Sequence, residues 1–191
     1  MNASRRTLAE IHRGFARIAA EAAQLRRALS RRDRLLAGLS HALRAALAAT
    51  LGYYGALALG LEQGFWAAIT AISVTQNNYA EVRNSSRDQF IGAAIGGLVG
   101  MTAATPAPGH FLPYILALLV GMTLCWMLDL GAAGRIAGVT TTIIMLVPHH
   151  GTFWQFALFR LGEVMLGAVS ALLVTWLGNR LERRLAGTPT A

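Results

Sequence analysis

Six apolar runs separated by short polar segments follow one another along the chain from residue 38 onward. Several are shorter than the roughly 20 residues that an untilted membrane-spanning helix needs, so their boundaries are soft. A division into four longer spans would bury Arg83, Arg87 and Asp88, or else Arg135, in lipid, which is costly. The pattern therefore predicts an all-α protein with six transmembrane helices, at Leu39–Leu61, Gly64–Gln76, Phe90–Thr105, Phe111–Leu128, Ile136–Val147 and Trp154–Leu177.

The first 37 residues show a different, amphipathic pattern. Apolar side chains recur there at alternating steps of three and four residues, and several Arg residues lie off this heptad stripe. We predict a basic helix over residues 1–37, a membrane domain over 38–180 and a tail over 181–191. The helix is either a short coiled coil between protomers or an amphipathic helix on the inner leaflet. The stripe consists of Leu8, Ile11, Phe15, Ile18, Ala22, Leu25 and Leu29.

The distribution of Arg predicts the orientation in the membrane. Basic residues concentrate in cytoplasmic segments of membrane proteins. In this chain Arg occurs in alternate connections, whereas the intervening loops at Glu62-Gln63, Pro106–His110 and Pro148–Thr152 contain none. Both termini are therefore predicted to be cytoplasmic. The Arg residues that define the inner side are Arg34, Arg83, Arg87, Arg135, Arg180, Arg183 and Arg184.

The overall composition is that of an integral membrane protein of the cytoplasmic (inner) membrane. Hydrophobic residues make up 54% of the chain and charged residues 14%, and nine of the 17 basic residues precede Ala37. Because basic residues beside membrane spans set topology and meet anionic lipid, we expect membrane lipid as a partner and no nucleic acid.

The sequence carries no motif typical of catalysis or of cofactor binding. It lacks a phosphate-binding Gly-Lys motif, a nucleophile elbow and a Cys/His metal spacing, and Cys125 has no second Cys to pair with. A cleavable signal peptide is not expected, because the first long apolar run begins near Ala42, behind a long polar arm. We predict that the chain is not an enzyme and uses no cofactor and no metal.

Six spans raise the hypothesis of two halves of three spans. A repeat with an odd number of spans must be inverted in the membrane, and short polar spans at matching positions of inverted halves point to a transport site. The second and fifth runs are both short and polar. Their hydrogen-bonding side chains could line a substrate path, although contacts between helices explain them nearly as well. These residues are Thr70, Ser73, Gln76 and Asn77 in the first half and Thr140 and Thr141 in the second.

Four stretches resemble the fusaric-acid-resistance and aromatic-acid-exporter superfamily. The stretch Phe65–Gln76 (FWAAITAISVTQ) is similar to the aromatic-Trp-Ala start of a family helix that often ends near a Gln. Gln89–Gly96 matches the glycines of an Arg-x-x-Gly-Thr-x-x-Gly helix start, with Gln89 in place of the Arg and Ala93 in place of the Thr. Arg160–Gly167 is similar to Arg-x-x-Glu-x-x-x-Gly. Leu43–Thr50 fits the start of the first span as well.

The resemblance covers about residues 38–180 and implies a transport function. It implies an exporter of small organic anions, aromatic ones included, that is coupled to the proton gradient. Many relatives carry a soluble domain or a second membrane half, so a homo-oligomer, most simply a dimer, is expected. Plant aluminium-activated malate channels resemble the same unit, which keeps a passive anion channel open. A scaffold or lipid-binding protein that acts through the Arg-rich helix is an alternative of another class.

Arg160 and Glu163 are the leading candidates for substrate binding. They lie one helical turn apart inside the sixth span, where a charge must pair or face water. Either they form an ion pair that locks the bundle, or Arg160 attracts an anionic substrate while Glu163 orients it or relays a proton. Arg44 is a snorkelling anchor or a pore residue, and Arg87 a topology determinant that could gather anions.

A second set of residues is predicted to serve helix packing. Small residues on one stripe of a membrane helix allow another helix to approach closely. The third run carries such a stripe, and the sixth carries one further glycine at a matching place. The residues are Gly92, Gly96, Gly100 and Gly167.

Overall fold

A computed structural model describes residues 30–106, 110–148 and 151–186. Within these ranges the chain forms six α-helices and no β-strand. The helices are α1 (Arg31–Ala58), α2 (Phe65–Val74), α3 (Tyr79–Ala104), α4 (Phe111–Met127), α5 (Gly131–Leu146) and α6 (Phe153–Ala186). The described part of the chain is thus all-helical, as predicted.

The polar segment before the third apolar run is helical, and its interpretation as a loop was wrong. Helix α3 begins at Tyr79, well before the predicted start at Phe90, and the connection from α2 is only residues 75–78. The Asn78 side chain accepts a hydrogen bond from the N–H of Ala80 (3.0 Å), which caps the helix. High hydropathy identifies only the part of a helix that is favourable in lipid. The helix itself continues beyond that part.

Helix α1 likewise starts earlier than the apolar run. It begins at Arg31, where the Ser30 hydroxyl accepts a hydrogen bond from the N–H of Asp33 (3.2 Å), and it runs unbroken past residue 38. The chain divides into two compact units, residues 1–40 and residues 41–191. The heptad stripe over Leu8–Leu29 lies outside the described residues, so the predicted N-terminal helix stays a prediction.

The outer surface of the described helices is apolar, as expected for a protein in lipid. Two helices, over Arg31–Ala58 and Phe153–Arg184, are long and apolar enough by length and composition to cross a membrane. Helices α2, α4 and α5 are apolar but shorter. Large apolar side chains point outward along the helices, including Leu43, Leu47 and Leu51 on α1. Such a surface would aggregate in water and is suited to hydrocarbon.

Packing between the helices follows the division into two halves. The short helix α2 packs against α6, the short helix α5 packs against α3, and α3 and α6 pack against each other. When the first half (α1–α3) is compared with the second half (α4–α6), the contact of α2 with α6 corresponds to the contact of α5 with α3. The contact between α3 and α6 corresponds to itself. Helix α4 contacts α5, and α1 correspondingly approaches α2, with Gly52 beside the Ala67 carbonyl.

The two close crossings are alike in atomic detail. A Cβ added to Gly92 on α3 would lie 2.5 Å from the Ala133 oxygen and 2.6 Å from the Ile136 Cβ on α5. A Cβ on Gly167 of α6 would meet the oxygen of Ala67 and, at 2.8 Å, the Cβ of Thr70 on α2. In each case the glycine faces a residue's carbonyl and the side chain three positions later. Only glycine lets the backbones come this close.

Candidate functional site

A buried charge pair lies in the first half of α6. Arg160 and Glu163 are only 5% and 4% exposed, because the i,i+3 spacing turns both toward the bundle. Arg160 Nη1 lies 3.8 Å from Glu163 Oε2, close enough for an ion pair and too far for a hydrogen bond. At 1.5 Å per residue, Arg160 is about 10 Å along the helix from its start at Phe153.

Trp66, at the start of α2, supports the guanidinium from one side. The Arg160 Cζ atom lies 4.6 Å from the centroid of the Trp66 ring, a cation–π distance. The indole N–H of Trp66 donates a hydrogen bond to Gln63 Oε1 (2.9 Å). The ring also packs against a buried cluster that contains Ile144 and Phe156. The Trp66 ring is thus fixed by the hydrogen bond to Gln63 and by packing against this cluster, and one face of the ring lies toward Arg160.

The guanidinium of Arg160 has unused hydrogen-bonding capacity. Its Nε and Nη1 atoms are buried and have no hydrogen-bond partner among the described residues. A guanidinium carries five N–H donors, and leaving buried donors unpaired is costly. The ion pair with Glu163 and the Trp66 ring neutralise part of the charge but do not accept these hydrogen bonds. The Arg160 guanidinium therefore lacks hydrogen-bond acceptors for these donors among the described residues.

A cavity of about 370 Å³ opens beside the pair. It lies where α1 ends, α2 begins and α6 begins, and its volume falls in the range of small-molecule sites. Its wall combines Arg160 and Glu163 with two phenylalanines, and the exposed Glu62 contributes a second carboxylate. The other lining residues are Gly60, Leu61, Gln63, Pro148, Phe156 and Phe159. The wall thus combines one cation and two carboxylates with an apolar surface.

The structure places the predicted polar residues of the short helices mainly at helix contacts. Thr70 is buried against Gly167, and the Thr141 hydroxyl donates to the carbonyl of Gly96 (3.1 Å). Thr140 is buried, and its hydroxyl has no hydrogen-bond partner within the described part of the chain. Ser73 is exposed and donates to the Ile69 carbonyl of its own helix (2.7 Å).

Four other candidates lie toward the opposite end of the bundle. Gln76 is half-buried, and the exposed Asn77 Oδ1 lies 3.2 Å from His41 Nδ1. Arg44 forms an ion pair with Glu182, more than 20 residues beyond Arg160 on α6, or about 30 Å along the helix. Arg87 is exposed and lies 3.9 Å from Asp88. None of these residues lines the cavity at Arg160.

The sequence did not mark five residues of this site as candidates: Glu62, Gln63, Trp66, Phe156 and Phe159. A tryptophan near the predicted end of a span is typical of the membrane interface, so the position of Trp66 did not distinguish it. The signal that could have identified it is its place in FWAAITAISVTQ, the stretch that carries the family resemblance. Gln63 stands three residues before it, the spacing at which side chains meet across one helical turn.

Comparison with known families decides the relationship. The sequence profile of the family described as "Fusaric acid resistance protein-like" matches residues 47–174, which is more than half of the chain. The chain belongs to this family. Membership of this fusaric acid resistance protein-like family supports the predicted location in the inner membrane. The matched range contains every residue of the cavity at Arg160.

A curated relative of this family member is the inner membrane protein YccS of Escherichia coli (strain K12). The two are 24% identical over 151 residues, which cover 76% of this chain and 21% of that protein. The chain therefore spans about a fifth of the length of this relative. No solved structure matches the chain.

Proposed function

We propose that the chain is the membrane unit of an exporter of small organic anions, aromatic ones included. The observation that carries the proposal is the buried Arg160 guanidinium, which has unpaired donors and belongs to a side chain that lines a cavity of about 370 Å³. A carboxylate is the natural acceptor for such donors, since charge-assisted hydrogen bonds to guanidinium are strong. The rings of Phe156 and Phe159 offer an apolar wall to the rest of the substrate.

Glu163 supplies a means of coupling to protons. Its carboxylate already faces Arg160 at 3.8 Å, so it competes with a substrate carboxylate for the same cation. Protonation of Glu163 would remove that competition and favour anion binding, whereas loss of the proton would favour release. In this mechanism the proton and the anion bind together and move in the same direction, so an outward gradient of the anion drives export and an inward proton gradient opposes it.

The proposed topology is six spans with both termini in the cytoplasm and two halves in an inverted repeat. The matched crossings of Gly92 on α5 and Gly167 on α2 support the repeat. The short helices α2 and α5 occupy corresponding places in the two halves, as expected for elements near a transport site. A homo-oligomer, most simply a dimer, would complete the transport unit.

The test is flux of a radiolabelled aromatic carboxylate, benzoate, in proteoliposomes with and without an imposed pH gradient. We expect saturable, gradient-dependent flux that falls at least tenfold in Arg160→Gln and stays within twofold in Arg135→Gln, which removes an exposed arginine elsewhere. Flux by Glu163→Gln should lose its dependence on the gradient.

Two results would contradict the proposal. Unchanged flux in Arg160→Gln would separate the site from transport. Ohmic single-channel currents without pH coupling in planar bilayers would favour a passive anion channel instead. If the wild-type protein carries no flux and deletion of residues 1–37 removes its cellular phenotype, the scaffold alternative gains support.

A further inference from the structure

The other end of α6 carries a pair of adjoining hollows rich in arginine. One, of about 380 Å³, lies between the last turns of α6 and the start of α3, and the other, of about 400 Å³, adjoins it along α6. Both are lined by Trp176 and Arg180. The first is completed by Tyr79, Asn179 and Arg183, and we call these five residues the basic groove.

The positive charge of the basic groove is not balanced by carboxylates in the described part of the chain. Glu182 lies on the same turns of α6, but it is paired with Arg44 of α1. Among the described residues no carboxylate forms an ion pair with Arg180 or Arg183. Instead, the Arg180 Cζ atom lies 5.1 Å from the centroid of the exposed Trp176 ring. Two guanidiniums are therefore available to an external anion.

The surface next to these arginines is apolar. Trp176 and Leu177 are each nearly half exposed (46% and 49%), and Leu173 lies exposed one turn further into the helix. Tryptophan and tyrosine beside arginine at the end of an apolar helix are typical of the boundary between headgroups and hydrocarbon. The groove thus offers cations on one side and an acyl-chain surface on the other.

We propose that the basic groove binds an anionic phospholipid of the surrounding bilayer. Arg180 and Arg183 would hold the phosphate, with Tyr79 and Asn179 as hydrogen-bonding neighbours, while an acyl chain lies along Trp176 and Leu177. Basic pockets between helix ends are a known form of lipid headgroup site. Four of the groove residues lie beyond residue 174, outside the range that the family profile matches, and the proposal is independent of the transport site.

The experiment compares retention of phosphatidylglycerol and phosphatidylcholine with identical acyl chains by the purified full-length protein. Native mass spectrometry in detergent gives the apparent affinity, and the melting temperature with added lipid gives a second measure. The test variant is the double substitution Arg180→Gln/Arg183→Gln. The matched control is Arg83→Gln/Arg135→Gln, which removes the same charge from exposed positions outside the groove.

We expect wild type and control to retain phosphatidylglycerol in preference to phosphatidylcholine and to gain melting temperature from it. One basic residue near an anionic headgroup contributes about a factor of five in affinity, so the test variant should bind about 25-fold more weakly. Its melting temperature in phosphatidylcholine should equal that of wild type, which shows that it folds.

Three outcomes would overturn the proposal. Equal losses in the test and control variants would show attraction by overall charge rather than by the groove. Equal retention of both lipids would show that the headgroup charge is not recognised. Equal stabilisation by inorganic phosphate would show an anion site that does not require the lipid.

Discussion

At the scale of single residues, two adjacent glycines of α3 have opposite surroundings. A Cβ at Gly96 would collide with the carbonyl group of Ala137, whereas a Cβ at Gly97 would find its nearest neighbour, the Ile144 Cδ1, at an ordinary 3.9 Å. Sequence alone marks both as small residues in an apolar helix. Only the position of α5 separates them, and that position depends on every other contact of the bundle.

Gly96→Ala should therefore destabilise the protein, while Gly97→Ala should not. Overpacking typically costs on the order of 1–3 kcal/mol, and here the obstacle is backbone, which cannot rotate away. Gly97→Ala should stay within about 0.5 kcal/mol of wild type. Thermal unfolding of both variants in one detergent checks the prediction, and equal melting temperatures for the two would contradict it.

The tryptophan beneath Arg160 gives a second prediction at this scale. Trp66→Leu removes the ring that faces the guanidinium, a contact worth about 0.5–2 kcal/mol. Trp66→Phe keeps a smaller ring at this place and loses the hydrogen bond to Gln63 and part of the packing and cation–π contact. We expect stability to decrease in the order wild type, Phe, Leu. Trp154→Leu is the control, since Trp154 is exposed near the same end of α6. An equal loss of stability in Trp154→Leu would show that replacing any tryptophan at this end of the bundle has the same effect, and that the contact with Arg160 is not its cause.

At the scale of elements, the sequence predicted the existence and order of the six described helices but not all of their ends. The centres of all six helices fall within the predicted apolar runs. The ends of α2 and α4 do as well, but α3 extends through Arg83 and Arg87, and α5 begins before Arg135. Hydrophobicity reports solvent preference, while helix ends depend on capping and on the turn that follows. A polar stretch that continues a helix into water is therefore invisible to a hydropathy argument.

The cap of α3 can be tested directly. Asn78→Ala removes the side-chain acceptor for the N–H of Ala80 and should cost about 1 kcal/mol. Asn84→Ala changes the same residue type at an exposed position within the same helix and should be nearly neutral. Chemical unfolding monitored by circular dichroism distinguishes the two. A cost in Asn84→Ala equal to that in Asn78→Ala would contradict the capping role.

At the scale of the whole molecule, part of the candidate site was predictable and part was not. Arg160 and Glu163 were found because charges inside an apolar run are rare and need a reason. Their partner Trp66 is nearly one hundred residues away in sequence, and its ring looked like many interfacial tryptophans. Long-range juxtaposition of this kind follows from packing α2 against α6, which no local pattern contains.

The proposed topology predicts the sides from which single cysteines can be labelled. Cys125 is buried, so Cys125→Ala provides a background without reactive thiols. In that background Glu62→Cys should react with a membrane-impermeant maleimide added to intact cells. Arg135→Cys should react only after the membrane is permeabilised. Labelling of both cysteines from outside, or of Arg135→Cys alone, would contradict the alternation of inner and outer connections.

The glycine crossings have a mechanical consequence. Interlocked side chains resist displacement, because each must change rotamer before its neighbour can pass. At Gly92 and Gly167 the contact is largely between backbone atoms, and neither glycine has a side chain that would obstruct movement along the facing helix. Sliding of packed helices is one way in which proteins move between states. The two short helices are thus the elements that could shift along their partners with the least repacking, one in each half of the bundle.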